Sequence, residues 1–156
     1  MSLYIPAIRD NEVARLSILM KNKEAFWSVI FDGTPRRGDC VAIVVRVCIH
    51  FVVHQKLVSL PTLASSPDAT DLAGIVFKSL VVRYGLDEHD LKRCRAFIHD
   101  SAAVNHAATE VLFSFTVISN AVSMTCMSHV MDNCGKALEY PLLKKFVETW
   151  FVCFQR

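Results

Sequence analysis

Two short apolar stretches that each close on an aspartate constrain this chain more than any other feature of its sequence. The first, Phe26-Trp27-Ser28-Val29-Ile30-Phe31-Asp32-Gly33-Thr34, is aromatic and β-branched, a composition that suits a pleated strand, and Gly33 supplies backbone freedom for a turn just past the carboxylate. The second, Cys94-Arg95-Ala96-Phe97-Ile98-His99-Asp100-Ser101, has the same form. Side by side in one sheet, the two strands would project Asp32 and Asp100 from the same edge. The plainer alternative is that each aspartate caps its own turn.

The connecting segments decide which sheet is available. After the turn composition of Thr34-Pro35-Arg36-Arg37-Gly38-Asp39, every odd position from Val41 to Phe51 is apolar while the even ones include Arg46 and His50, the period of a strand with one buried face. His54-Gln55-Lys56 reads as the next turn and Leu57-Val58-Ser59-Leu60 as a short third strand. From Asp71, Leu72, Ile75, Val76, Leu80 and Val81 recur at helical spacing, with Asp68 or Thr70 as cap and Gly85 as stop signal. Leu86 to Leu91 reads as a charged connection, Ala102 to Thr116 as a helix, Ala121 to Cys126 as a last strand and Tyr140 to Phe154 as a last helix. The segment from Arg9 to Lys23 forms a leading amphipathic helix.

The resulting order of three strands, then helix, strand, helix, strand, helix, is similar to that of an RNase H-like fold. The expected class is therefore α/β, with a mixed five-stranded sheet (a three-strand antiparallel meander plus two parallel strands) and flanking helices. In that topology the fourth strand lies parallel to the first, on the side away from the second. At 156 residues the chain suits one domain, with residues 1–25 leading and 26–156 forming the core. The hydrophobic fraction of 53% is high enough to require a sheet covered on both faces or an apolar surface belonging to a further segment.

Composition also excludes function classes. A net charge of +2 is far from the basic balance of a dedicated nucleic-acid-binding module, so any such contact would be local. The N-terminus has charges in place of a signal-peptide apolar region, and the run from Val41 to Val53 is too short and too polar for a bilayer. These features predict a protein that is neither secreted nor membrane-bound, located in nucleus or cytoplasm, with its six cysteines mostly buried and reduced.

Two adjacent carboxylates are a natural site for Mg2+ or Mn2+, which take a few carboxylates plus water and phosphate oxygens. Cys126-Met127-Ser128-His129, followed by Cys134, has the short spacing of metal ligands, but no second Cys/His pair completes a structural zinc site; a buried cysteine beside a hydrogen-bonded histidine is the simpler reading. Arg36 and Arg37 are placed to meet phosphates just past Asp32, or else are solvated turn residues. His99 alternates to the opposite side of its strand and is expected to be structural. Asp32-Gly33-Thr34 resembles the haloacid dehalogenase phosphatases, yet Ile30 stands where their nucleophilic aspartate belongs. It is also similar to the sugar-kinase and actin-like ATPases, without their second phosphate loop, and no GxxxxGK loop or dinucleotide fingerprint occurs.

Taken in order, Ile30-Phe31-Asp32-Gly33-Thr34, Leu57-Val58-Ser59-Leu60, His99-Asp100-Ser101-Ala102-Ala103-Val104-Asn105 and Cys126-Met127-Ser128-His129-Val130-Met131-Asp132-Asn133 resemble the catalytic core of hAT-superfamily DNA transposases. The resemblance implies that Asp32 and Asp100 match the first two metal-binding acids of an Asp-Asp-Glu triad. Asn105 accompanies the second acid, and Cys126 and His129 match a Cys-x-x-His motif of the active-site region. It further implies Mg2+ or Mn2+ as cofactor and DNA as partner of the full-length protein. The third acid of that family follows a long helical insertion, and Glu139 and Glu148 fall too early to match it. The expectation is a partial core without that acid, the insertion or the dimerisation region, with self-association left open. Such a chain would be inactive alone, or a transposon-derived interaction module.

Overall fold

A computed structural model describes residues 4–34, 39–63, 65–115, 118, 120–137 and 145. The order of elements is α1 (Tyr4–Lys21), β1 (Phe26–Thr34), β2 (Asp39–Ile49), β3 (Val52–Ser59), β4 (Thr62–Leu63), α2 (Ala69–Tyr84), α3 (Glu88–Leu91), β5 (Cys94–His99), α4 (Ala103–Ser114), β6 (Val122–Thr125) and α5 (Met127–Ala137). The protein is α/β, with a mixed open sheet of six strands and flanking helices.

The strands run in the order β3-β2-β1-β5-β6. β1, β2 and β3 form an antiparallel meander, while β5 pairs parallel to β1 and β6 parallel to β5. The sixth strand is the two-residue β4, which extends β2 by pairing Asp39 with Leu63 and Cys40 with Thr62. Five strands were expected; two residues are too few to carry a periodicity, so β4 is visible only through its pairing. The expected adjacency of the first strand and the strand ending at Asp100 is present.

One face of this sheet is sealed. Trp27, Val29 and Phe31 of β1, Val41, Ile43, Val45 and Val47 of β2, and Phe97 of β5 are buried in one cluster with Leu16 and Met20 of α1, Leu72, Val76 and Leu80 of α2, and Ala108 and Leu112 of α4. Each large apolar side chain removed from water in this way contributes about 1.5–3 kcal/mol. Ser28, Ile30 and Asp32, which alternate with the buried residues, are only half-buried. Thus, among the described residues, β1 and β2 are covered on one face, whereas β6 and all of β3 but Val58 are exposed or half-buried. The helix expected over Tyr140 to Phe154 lies outside the described residues except for Lys145, which is helical, and Arg36 and Arg37 lie outside them too.

Capping sets the helix boundaries. The Asp68 carboxylate accepts a 2.8 Å hydrogen bond from the Asp71 amide, and Gly85 closes α2 at φ 60°, a conformation that costs a residue with a Cβ. The segment from Leu86 to Leu91 contains the short helix α3, started by a reciprocal pair in which Asp87 accepts from the Asp90 amide at 2.8 Å and Asp90 accepts from the Asp87 amide at 3.2 Å. No helix among the described residues is long and apolar enough to cross a membrane.

The turn between β2 and β3 lies at His50-Phe51, not at His54-Gln55-Lys56, which are paired residues within β3. Ile49 pairs with Val52, leaving a two-residue loop with φ 49° at His50 and 65° at Phe51. Both positive angles are what a tight hairpin requires. Neither residue is one that favours them, and so the alternation of β2 continued one residue too far into the loop. The Phe51 side chain is 100% exposed, so no packing offsets its left-handed backbone. Phe51→Gly is expected to raise stability by about 1 kcal/mol, read as a higher urea midpoint, because relief of the steric cost exceeds the entropy lost by glycine. A lowered midpoint would mean that the Phe51 ring contributes to the fold.

Candidate metal centre

The parallel register between β1 and β5 builds the site. Val29 pairs with Phe97 and Ile30 with Ile98, so neighbouring residues on the two strands share a face. Two residues further on, Phe31 stacks against His99 with ring centroids 5.4 Å apart, and Asp32 comes beside Asp100 on the half-buried face. β1 continues past Asp32 to Thr34, with Asp32 paired to Ala42, so this carboxylate projects from two residues before the strand end. Asp100 follows the last residue of β5.

Asp100 is held by its own loop. Its Oδ1 accepts a 2.9 Å hydrogen bond from the Ala102 amide and a 2.5 Å bond from Nδ2 of Asn105, a buried residue in the first turn of α4. Asn105 therefore orients the carboxylate. His99 is buried on the other side of the strand: Nδ1 lies 2.6 Å from the Asp100 carbonyl and Nε2 3.0 Å from Oγ of Ser123. A carbonyl can only accept, so Nδ1 carries a proton, and Nε2 shares its hydrogen bond with the Ser123 hydroxyl. The structural role expected of His99 agrees with this geometry.

The third member of the cluster arrives on α5. The Cys126 amide donates a 2.6 Å hydrogen bond to the carbonyl of His99, and the amides of His129 and Val130 donate to the Cys126 carbonyl, both at 3.1 Å. α5 thus starts on the end of β5. Asn133 adds a 3.4 Å bond from Nδ2 to Oγ of Ser101. One helical turn in, His129 brings a ring nitrogen close enough that its ligand atom and one oxygen each from Asp32 and Asp100 all lie within 4.8 Å of one another. The helix is what places His129 there. Its signal in the sequence is Met127, Val130, Met131 and Cys134, apolar positions at helical spacing.

The electrostatics of the cluster follow from these contacts. The Cys126 thiol is held below its ordinary pKa, chiefly by hydrogen bonding with the His129 side chain and then by the backbone at the start of α5. His129 is raised, chiefly by hydrogen bonding with Cys126; burial, the next largest effect, opposes this, and the negative charges of Asp32, Cys126 and Asp100 add to the rise. Cys94 behaves oppositely: deep burial pushes its thiol up to about 12. Of the five cysteines described, Cys94 is buried, Cys40, Cys48 and Cys126 are half-buried and Cys134 is exposed, fewer buried than expected.

The donor set fits a divalent cation. Two half-buried carboxylates supply hard oxygen ligands, and Nδ1 of His129 is shut off from solvent with no hydrogen-bond partner among the described residues. Of the Cys-x-x-His pair, His129 is grouped with Asp32 and Asp100, and Cys126 stands immediately before the helix that carries it. No protein-family model matches the chain, and no curated protein matches it either.

Titration can test this coupling. Alkylation of Cys126, followed peptide by peptide, is expected to start at lower pH than alkylation of free cysteine, and His129→Ala should move the profile to higher pH. Conversely, the His129 ring signal should titrate above the ordinary histidine value, and Asp100→Asn should lower it. The stabilisation that goes with protonated His129 is complete below the unfolded-state pKa and is lost as pH rises through the higher folded value. An alkylation profile unaffected by His129→Ala would show that the two side chains are not coupled.

Proposed function

We propose that this chain is a metal-binding RNase H-like core related to the hAT-superfamily DNA transposases, built for phosphodiester chemistry on DNA. The observation that carries the reading is the juxtaposition of Asp32 and Asp100 on adjacent parallel strands, with His129 beside them. Two carboxylates about 4 Å apart repel by roughly 4 kcal/mol at an effective dielectric of about 20, so a site that keeps both ionised calls for a cation. The strand order β3-β2-β1-β5-β6 supports the RNase H-like assignment, because it is the meander with parallel additions expected of that fold.

In this reading Asp32 and Asp100 hold Mg2+ or Mn2+, and Asn105 fixes the orientation of Asp100. Metal held by these two carboxylates would supply Lewis-acid activation of a water or hydroxyl and, with a second ion, neutralisation of charge on the leaving oxygen of a phosphodiester. Arg36 and Arg37, in the connection after β1, would meet the DNA backbone as positioning charges. Cys126 begins the helix that carries His129.

A second reading is favoured by one observation: among the described residues, no third carboxylate joins Asp32 and Asp100. Without it the chain would bind metal but not cut DNA, as a transposon-derived interaction module. Calorimetric titration with Mn2+ and Mg2+ together with cleavage of end-labelled DNA separates the readings. Asp32→Asn and Asp100→Asn are each expected to reduce metal affinity by about tenfold or more, in the range seen when groups supporting a metal site are lost. Unchanged affinity in both variants would overturn the metal-binding core. Cleavage that depends on Asp32 would exclude the non-catalytic reading, and its absence alongside Asp32-dependent binding would favour it.

A further inference from the structure

We infer that His129 is itself a ligand of the bound ion, and that the resulting set of two carboxylates and one imidazole selects Mn2+ over Mg2+. The inference rests on the metal-binding reading above and adds to it the identity of a ligand and of the metal.

Three observations on different elements lead to it. First, the ligand atoms of Asp32, Asp100 and His129 lie within 4.8 Å of one another. Oxygens on opposite sides of an octahedral Mg2+ stand about 4.2 Å apart, so these atoms need only small side-chain rotations to share one ion. Second, the protein leaves the imidazole incompletely satisfied: Nδ1 is sealed from solvent and meets no hydrogen-bond partner among the described residues. Third, His129 is delivered by a helix anchored by the residue immediately before it, through the Cys126 amide on the His99 carbonyl, and Asp100 is anchored through Asn105. Two of the three donors are therefore fixed to the same end of β5 before any ion binds.

The metal preference follows from the donors. Mg2+ is a hard ion that takes oxygen ligands and holds its waters tightly, and an imidazole nitrogen gains it little. Mn2+, although the weakest binder of the first-row divalent series, is a transition ion that takes carboxylate oxygens and gains more than Mg2+ does from an added nitrogen donor. A site of oxygen ligands alone would discriminate between the two far less. The His129 ring thus acts as the selectivity element of a site whose charge comes from Asp32 and Asp100.

The test uses the whole chain, labelled with 15N-histidine and loaded with Mn2+ alone, read by electron spin echo envelope modulation. The expected result is stoichiometric Mn2+ with 15N coupling that disappears in His129→Ala. By competition titration, Mn2+ should bind at least about tenfold more tightly than Mg2+, and His129→Ala should remove most of that difference while changing Mg2+ affinity little. Stoichiometric, Asp32-dependent Mn2+ without 15N coupling in the unaltered chain would overturn the inference and leave the metal-binding reading intact. Failure to bind Mn2+ at all would overturn both. Coupling that survives His129→Ala would assign the nitrogen to another histidine and so contradict the role of His129.

Discussion

The parallel pairing of β1 with β5 governs the arrangement of the site, because a sheet's side-chain alternation makes register and facing the same question. With Val29 opposite Phe97 and Ile30 opposite Ile98, the buried series ends in Phe31 against His99 and the half-buried series ends in Asp32 beside Asp100. A slip of one residue would send a carboxylate into the apolar core and a phenyl ring to the open face. The core that fixes this register, including Trp27, Val29, Phe31 and Phe97, thereby also fixes the distance between the two acids.

From that pairing the remaining parts of the site acquire their positions. β6 adds to β5, its Thr125 opposite His99, and the chain turns at once into α5. The hydrogen bond from Cys126 to the His99 carbonyl ties the helix start to the strand end, so His129 and Asp100 share a common support. Asn105, on the helix that follows Asp100, closes the arrangement from the other side. The His99 ring, buried between Phe31 and His106, braces the strand ends without entering the cluster. Hydrogen bonding with Cys126 first, and the charges of the two acids after it, favour the protonated form of the His129 imidazole against its burial.

The features legible in the sequence are those with a strong local signature. Asp32 and Asp100 stand out because each closes an apolar run, and the alternation of β2 and the capped pattern of α2 determine their elements with little help from tertiary context. Asn105 is legible only by its closeness to Asp100, and its bond to the carboxylate confirms the association. The hairpin at His50-Phe51 escapes notice because it lacks the glycine or asparagine that such turns favour, and the backbone takes positive φ to satisfy the pairing of Ile49 with Val52. β4 is too short to have a pattern. The α5 helix is partly hidden because its apolar positions, Met127, Val130, Met131 and Cys134, are all exposed, and because the Cys-x-x-His spacing draws attention to ligands in place of the helix. The convergence of His129 on the two acids is a tertiary fact, since it depends on where β6 adds to the sheet.

The account as a whole stands on one claim, that the ends of β1 and β5 hold a divalent cation between Asp32 and Asp100. The most direct measurement is anomalous diffraction from crystals of the chain soaked in Mn2+. The account predicts a single strong anomalous peak within coordinating distance of both carboxylates. A map in which both side chains are ordered, Mn2+ is found elsewhere or nowhere, and no peak lies between them would contradict it.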